Sequence, residues 1–447
     1  MSRARPDMLT PETLQHAMPP LARDKVVWVA YSGGCDSHVL LHLLSQLRKS
    51  VPFELKAVYV DHGLSPNAAQ WGEHCRVVCA ELAVEILTLN VDATPQDGAS
   101  PEAAARQARY AAIKTLLKSG DTLCTAHHQE DQAETLLLQL LRGAGPKGLA
   151  GMPPSSPLGL ATQVRPLLGF SQTQLRDYAE QYGLQWIEDE SNSDTGFNRN
   201  YLRHEILPRL RERWPASDAT IARSAAHCAE AARLMEVLAE QDFQSVKSVS
   251  STELEIEALL RLENARQKNL LRYWIHQAGL PLPSEIKLQH ILSDVLTAAE
   301  DKMPLVAWPG AEVRRYDGRL YVMAPLPEFD TTQVIEWADL SRPLELPDGS
   351  RLCCESSDQR PALDLKRLRQ GRVTVQFRQG GERCRLVGSQ YHKSLKQVFQ
   401  ERAVPPWRRS RIPLLYVDDM LVAVVGVCVT DVLFTTEFAH GSVVRLS

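Results

Sequence analysis

The stretch that decides the fold is Tyr31-Ser32-Gly33-Gly34-Cys35-Asp36-Ser37-His38, which joins an apolar run to an amphipathic one. Residues 26–30 before it have the composition of a short buried strand, and apolar residues recur after it at helical spacing. This order places glycines and hydroxyls at a helix N-terminus, where unpaired N–H groups and the helix dipole favour an anion. The stretch therefore predicts a phosphate site. The alternative is a tight turn in which Ser32 or Asp36 is an ordinary N-cap of the helix.

The same loop also predicts a metal ion. It lacks the Gly-Lys-[Ser/Thr] of a Walker A loop and the glycine spacing of a dinucleotide fingerprint. Asp36 would repel a phosphate unless a cation stood between them. We therefore expect Mg²⁺ to bridge the carboxylate and the phosphate oxygens.

Composition bounds the class of protein. The chain has 447 residues, of which 44% are hydrophobic and 23% charged, as in ordinary globular proteins of about two to four domains. The net charge of −4 does not by itself favour a nucleic-acid partner, but the arginines are clustered. Nine cysteines without a Cys-x-x-Cys pair, no apolar leader and no long apolar run predict a reducing, cytoplasmic location without membrane spans.

Strands and helices alternate from Lys25 onward, which predicts an α/β fold with a doubly wound parallel sheet. A mainly helical region follows, then a small strand-rich one. The expected domains are a lead-in at 1–24, an α/β domain at 25–215, a helical domain at 216–330 and a strand-rich C-terminal domain at 350–447.

Polar side chains collect where the predicted strands end. Asp61 and His62 follow the second strand, and the stretch from His127 to Thr135 follows a later one. Ligands of such sheets bind beyond the carboxyl ends of the strands. Asp131 and Glu134 share one helix face, so Asp36 and Asp131 are predicted to hold Mg²⁺ and Glu134 to contact a cation. The alternative is that the histidines cap the helix and the acids favour its first turn; a zinc site lacks further ligands.

Two further features point to a polynucleotide. Residues 142–152 form a glycine-dense segment with two cations, read either as a substrate-facing flap or as a plain linker. A basic helix is predicted at 198–213, and arginines gather beyond residue 366 with Tyr391 and Trp407 among them. Cations and aromatics of this kind suit RNA phosphates and bases, whereas the alternative is a solvated surface.

Taken together, the motifs resemble the tRNA(Ile)-lysidine synthetase family of PP-loop ATP pyrophosphatases. The matching segments are 32–37, 61–64, 102–110, 127–135, 142–152, 165–168, 186–203, 380–396 and 404–409. They extend over nearly the whole chain. Cys35 stands where aliphatic residues are common in the family, which changes packing rather than charge.

The resemblance implies a reaction. ATP would adenylate the C2 oxygen of the wobble cytidine in the CAU anticodon of a minor isoleucine tRNA. L-lysine would then displace AMP to give lysidine, so that codon and amino-acid specificity switch from methionine to isoleucine. Homodimer formation stays open. The alternatives are a PP-loop tRNA thiolation enzyme, for which Cys75 and Cys79 lie one helical turn apart, and a nucleotide-sensing RNA-binding protein without chemistry.

The resemblance also implies residue roles, with ATP and Mg²⁺ as cofactors. The catalytic residues would be Asp36, Asp131 and Arg109, and the metal ligands Asp36 and Asp131. ATP would be bound by Ser32, Gly33, Gly34, Cys35, Asp36, Ser37, Asp61 and Arg106. Glu134 would bind lysine. The tRNA would be bound by Arg142, Lys147, Arg199, Arg203, Lys393, Lys396 and Arg409.

Overall fold

A computed structural model describes residues 8–446 except 22–24, 64–66, 93, 95–100, 189, 191–193, 249, 300–301, 357–361 and 436–440. Parts of two sequence motifs, Leu64 and residues 189 and 191–193, thus lie outside the described residues, as does the side chain of Glu102. The chain divides into two compact units, Met1–Met235 and Glu236–Ser447. None of the described helices is both long enough and apolar enough to cross a membrane.

The first unit is the predicted α/β domain. Its elements are α1 (Pro11–His16), β1 (Val26–Ala30), α2 (Cys35–Leu47), β2 (Glu54–Asp61), α3 (Ala68–Glu81), β3 (Glu85–Asn90), α4 (Pro101–Leu116), β4 (Thr122–Cys124), α5 (Gln129–Leu141), α6 (Pro146–Leu149), β5 (Ser155–Leu158), β6 (Ala161–Val164), α7 (Gln172–Gln181), α8 (Asn198–Tyr201), α9 (Leu207–Arg213) and α10 (Ser217–Val246). A π-helical turn, Leu202–Ile206, joins α8 to α9. The unit boundary falls inside α10.

The sheet of this unit has the strand order β3-β2-β1-β4-β6-β5. All neighbours pair in parallel except β5 and β6. The chain runs outward from β1 to β3 and then returns to place β4 on the other side of β1. The strand order therefore reverses between β1 and β4, which is where a doubly wound sheet binds its ligand.

Alternation along β1 places its side chains in two different cores. Val27 and Val29 pack with the leucines of α2 on one face, while Trp28 packs with Ile113 and Leu123 on the other. Leu40 and the other apolar residues of α2 are fully buried. Helices therefore cover both faces of the sheet, and its polar strand ends remain as the accessible edge.

Three local predictions were wrong. Residues 142–152 are not all loop, because α6 begins at Pro146, a residue that suits the first turn of a helix. The pattern of residues 171–190 predicts a helix followed by a short strand, but the described residues 184–188 form no strand and run beside the 32–37 loop instead. The helical stretch after residue 216 is interrupted by a strand, β7 (Glu253–Glu255).

The second unit begins helical and becomes strand-rich, as expected. Its other elements are α11 (Ile256–Leu260), α12 (Asn264–Gln277), α13 (Glu285–His290), β8 (Leu305–Trp308), β9 (Ala311–Tyr316), β10 (Arg319–Met323), β11 (Ile335–Glu336), β12 (Leu344–Glu345), β13 (Arg351–Ser356), β14 (Ala362–Asp364), α14 (Leu365–Leu368), β15 (Val373–Gln376), β16 (Arg383–Arg385), β17 (His392–Ser394), α15 (Leu395–Glu401), α16 (Pro406–Arg409), β18 (Leu414–Val417), β19 (Met420–Val424), β20 (Cys428–Val429), β21 (Phe434–Thr435) and β22 (Gly441–Leu446). One core forms around Trp274 and two others beyond residue 336.

Candidate active site at the strand ends of the first unit

The loop after β1 is built around the Ser37 hydroxyl. Ser37 Oγ donates to the Gly34 carbonyl at 3.0 Å, accepts from the Ser32 N–H at 3.2 Å and lies 3.1 Å from Ser32 Oγ. Gly34 is the N-cap of α2, and no side chain caps the helix. The interpretation of Ser32 or Asp36 as an ordinary N-cap is therefore wrong. The first N–H groups of α2 face the loop without a side-chain acceptor, as an anion site requires.

Gly33 is required by both its conformation and its neighbours. Its φ is +82°, and a Cβ there would lie 3.0 Å from Ile187 Cδ1 and 3.1 Å from Cys75 Sγ. The Gly33 carbonyl also accepts a hydrogen bond from the Ile187 N–H at 3.0 Å. These contacts hold the loop against residues 184–188, so its shape is fixed before any ligand binds.

His128 connects Asp36 to the acids of α5. Its Nε2 lies 3.5 Å from Asp36 Oδ2 and 3.5 Å from Asp131 Oδ2, and its Nδ1 lies 2.9 Å from Glu130 Oε2. His128 is the N-cap residue of α5, and its backbone N–H donates to Asp131 Oδ2 at 3.0 Å. The predicted capping position is thus correct, but the imidazole also joins three carboxylates.

The two neighbouring histidines differ in charge at neutral pH. Burial alone would lower the pKa of His128, but its contacts with Asp36, Glu130 and Asp131 outweigh burial and raise that pKa to about 10. Burial lowers the pKa of His127 to about 3, and its Nδ1 lies 3.0 Å from Thr125 Oγ1. Burial would raise the pKa of Asp131, yet the charges of His128 and Arg199 hold it at about 2. At neutral pH His128 is therefore cationic and His127 neutral.

Glu134 is fully buried and bound by two arginines. Arg199 Nε donates to Glu134 Oε2 at 2.6 Å, and Arg203 Nε donates to Oε1 at 2.6 Å. The same arginines reach Asp131 Oδ1 at 3.0 and 3.2 Å. The four side chains form one cluster, which we call the acid–arginine cluster. It lies beside Asp36, since His128 contacts both Asp36 and Asp131.

The predicted ATP-binding residues on the neighbouring elements also come to this edge. Asp61 ends β2, and its Oδ1 accepts from the Gly63 N–H at 2.8 Å. The Arg106 guanidinium lies over the ring of Tyr110, 5.1 Å from its centroid. Arg109 donates from Nε and Nη2 to His62 Nε2, at 3.2 and 2.8 Å.

Cys35 and the two cysteines of α3 are not activated thiols. Burial and the neighbouring Asp36 raise the pKa of Cys35 to about 11. Cys75 and Cys79 are fully buried, and burial raises both of their pKa values to about 12. All three sulfurs are protonated at neutral pH and are poor nucleophiles.

The predicted tRNA contacts fall into different environments. Arg142 and Lys147 are exposed on the segment between α5 and β5. In the second unit Lys396 is exposed, and Lys393 pairs with Glu401 at 2.7 Å. Arg409 is partly buried and donates to the Val404 carbonyl at 2.8 Å and the Tyr316 hydroxyl at 2.9 Å.

Asp36 and Asp131 have the chemistry of magnesium ligands, although both oxygens of Asp131 already accept hydrogen bonds from His128 and the two arginines. The two acids present a carboxylate oxygen to the same point, His128 Nε2, and Mg²⁺ prefers carboxylate oxygens. No group of three or more potential metal ligands is found among the residues that the structure describes. A site of two carboxylates completed by phosphate and water oxygens is the arrangement that Mg²⁺ usually takes.

The glycine loop and the acids at the strand ends form a candidate nucleotide site, and a family model places the chain among the PP-loop proteins. A PP-loop domain model matches residues 9–210, a TilS substrate binding domain model residues 254–321, and a TilS substrate C-terminal domain model residues 373–446. The first match lies in the first unit, and the other two lie in the second unit.

Curated relatives narrow the class. A tRNA(Ile)-lysidine synthase of Coxiella burnetii is 45% identical over 426 residues, covering 95% of this chain and 94% of its own. Those of Methylococcus capsulatus and Pectobacterium atrosepticum are 42% and 40% identical, covering 89% and 96% of this chain and 90% and 96% of their own. The chain therefore belongs to the tRNA(Ile)-lysidine synthase family. The predicted family, its α/β fold class and its PP-loop ATP-binding domain are confirmed.

Proposed function

We propose that the chain ligates L-lysine to the C2 position of the wobble cytidine in the CAU anticodon of a minor isoleucine tRNA. ATP would be split to AMP and pyrophosphate through an adenylated tRNA intermediate. The observation that supports this most is the meeting of the 32–37 loop, Asp36 and the acid–arginine cluster at the point where the strand order reverses. It occurs in a chain that matches tRNA(Ile)-lysidine synthases over nearly its full length.

The phosphates of ATP would bind the 32–37 loop. Ser32, Gly33, Gly34, Cys35 and Ser37 would supply hydroxyls and backbone N–H groups to the β and γ phosphates, which leave together as pyrophosphate. Asp61 ends the neighbouring strand, and Arg106 lies on α4 over Tyr110. Arg109 would bind the phosphate at which the cytidine oxygen attacks, because it brings a cation to the same edge of the sheet.

Asp36 and Asp131 would hold Mg²⁺, which when bound supplies positive charge to the phosphates. His128 already places a positive charge between the two carboxylates. Protein groups therefore hold both acids in place in the absence of a ligand.

Glu134 remains our proposed partner for the ammonium group of lysine, with one condition set by the structure. Both of its oxygens accept from Arg199 and Arg203. A lysine ammonium would have to replace one of these guanidinium groups. Before lysine binds, Glu134 holds the two arginines in position. An arginine that lysine displaces from Glu134 would become available to bind a tRNA phosphate.

The tRNA would be held by exposed cations in both units. Arg142 and Lys147 are exposed on the segment that follows α5, and Lys393 and Lys396 lie in the C-terminal region beyond residue 350. Arg409, which is bonded to Tyr316 inside the second unit, would contribute by holding residues 404–409 in place. We propose that residues 25–215 form the PP-loop ATP-binding catalytic domain and residues 216–330 the helical substrate-binding domain. Residues 350–447 would form the C-terminal tRNA-binding domain. Homodimer formation also stays a prediction, which sedimentation would decide.

The decisive experiment is mass analysis of the anticodon nucleosides after incubation with ATP, Mg²⁺, lysine and a transcript of the isoleucine tRNA. We expect lysidine at the wobble position and stoichiometric pyrophosphate, and no product on a methionine tRNA with the same anticodon. Sulfur in the product would instead indicate the thiolation enzyme, although the protonated Cys35, Cys75 and Cys79 oppose it. Nucleotide binding without pyrophosphate release would indicate the sensor.

A further inference from the structure

Arg109 differs from Arg199 and Arg203 in the kind of partner that holds it. Arg199 and Arg203 are bound by the carboxylates of Asp131 and Glu134. Arg109 instead donates to His62, with Nε 3.2 Å and Nη2 2.8 Å from the same Nε2. Within the described part of the chain, no carboxylate lies within ion-pair distance of Arg109.

The two hydrogen bonds fix the state of the histidine. A ring nitrogen that accepts from a guanidinium carries no proton, so a neutral His62 must carry its proton on Nδ1. A protonated His62 would present a donor and a positive charge to Arg109, and the contact would be lost. Partial burial and the charge of Arg109 both lower the pKa of His62, which agrees with a neutral ring.

The other side of the ring adds no hydrogen bond within the described part of the chain. His62 Nδ1 is buried and has no hydrogen-bond partner among the described residues. A buried N–H without an acceptor lowers the stability of the fold. The neighbouring Asp61 could have supplied an acceptor, but its Oδ1 accepts from the Gly63 N–H.

A neutral acceptor has one advantage over a carboxylate. A carboxylate orients an arginine and at the same time neutralises its charge for any further anion. A neutral imidazole orients the guanidinium through two hydrogen bonds and leaves its full positive charge available. The remaining donors of Arg109, on Nη1 and Nη2, are then free to bind phosphate oxygens in a fixed orientation.

We propose that His62 is a positioning residue, which aims the Arg109 guanidinium at the phosphate of ATP that undergoes attack. This inference rests on the proposed function, since it assigns His62 a part in the adenylation step. His62 would contact neither ATP nor tRNA in that role. Its effect would pass entirely through Arg109.

The test compares two substitutions of His62, one that keeps a hydrogen-bond acceptor for Arg109 and one that removes it. His62→Gln keeps an oxygen near the position of Nε2, whereas His62→Phe keeps a ring and removes the acceptor. We expect His62→Phe to lower kcat/KM for ATP in pyrophosphate release by about 10- to 100-fold, since small misplacements of a binding group cost this much. His62→Gln should retain activity within about threefold, and the Kd for tRNA should stay unchanged in both.

The coupling to Arg109 is measured in a double-mutant cycle. If His62 acts through Arg109, His62→Phe should change kcat/KM by less than about twofold when Arg109 is already alanine. An equal loss in both backgrounds, or full activity of His62→Phe alone, would overturn the inference. If His62→Phe lowers Tm markedly, the comparison uses His62→Asn instead, because the shorter asparagine side chain places its oxygen away from Arg109. Full activity of His62→Asn would also overturn the inference.

The same data separate this inference from the proposed function. Full activity of Arg109→Ala contradicts the assignment of Arg109 itself. Loss of activity in Arg109→Ala together with full activity in His62→Phe contradicts only the role of His62. Absence of pyrophosphate release from the unsubstituted protein would contradict the proposed reaction.

Discussion

Two groups of basic residues, one in each unit, are held in opposite ways. In the first unit Arg199 and Arg203 are tied to the fully buried Glu134 and to Asp131, at 2.6 to 3.2 Å. In the second unit Lys396 is exposed, and the Lys393–Glu401 pair lies at the surface. Buried ion pairs require full compensation and so fix geometry, whereas exposed ones contribute little to stability.

The difference indicates two uses of charge in one chain. Arg199 and Arg203 are held at fixed positions beside the candidate site by buried carboxylates. Charges that only have to attract a polyanion can remain exposed, where their effect is long-ranged and sensitive to salt.

The largest effect is expected at Asp36. Asp36→Ala should lower the rate of adenylation by about 10³-fold or more, because it removes a carboxylate that faces both the loop and His128. Binding of tRNA should change less than about twofold, since Asp36 is not among the exposed charges. Pyrophosphate release and filter binding measure the two effects. Normal turnover of the variant would contradict the metal and ATP assignment.

The second effect is on stability. Glu134→Gln leaves two guanidinium groups short of one negative charge, and we expect the free energy of unfolding to fall by about 2 to 4 kcal/mol. The matched control is Glu257→Gln, whose partner Arg261 is 74% exposed; we expect about 0 to 1 kcal/mol there. Urea titration followed by circular dichroism would compare them. Equal losses would mean that burial does not distinguish the two regions.

The strand, loop and helix around residues 32–37 could be predicted from sequence because every step of that prediction is local. Buried β1, the glycine turn and the apolar face of α2 follow one another along the chain. The convergence of Asp36 with Asp131 could also be predicted, since parallel strands end at one edge of a sheet.

Other features depend on contacts that no local pattern records. Arg199 and Glu134 are 65 positions apart, and the spacing of residues 198–213 predicts only a basic helix face. The charge of His128 depends on carboxylates from two different helices. The pairing of His62 with Arg109 spans 47 positions and is visible only once β2 and α4 are placed side by side. Resemblance to a family indicated which residues matter but not how they hold each other.

The third prediction concerns pH. The folded-state pKa of His128 is about 10, above its ordinary value of 6.5, so its contribution to stability is complete below pH 6.5 and is lost as pH rises toward 10. For His127 the pKa is about 3, so its contribution is lost on acidification instead. We expect the unsubstituted protein to have a higher Tm than His128→Asn at neutral pH. This difference in Tm should shrink by about 3 °C or more as the pH is raised from neutral to about 10. A constant difference across that window would mean that His128 is not charged in the folded protein.

The smallest effect is expected among the exposed cations of the second unit, where it depends on whether a cation already has a partner. Each lost phosphate contact should lower the slope of log K against log salt by about 0.7 to 0.9. Lys396→Ala should show this change, together with about threefold weaker tRNA binding at moderate salt, because Lys396 has no ion-pair partner among the described residues. Lys393→Ala should change the slope less, since Glu401 offsets part of its charge. Arg409→Gln should leave the slope unchanged and lower stability, because its guanidinium is bonded to Val404 and Tyr316. Filter binding over a salt series measures all three, and a slope change for Arg409→Gln equal to that for Lys396→Ala would show that internally bonded cations also contact the tRNA.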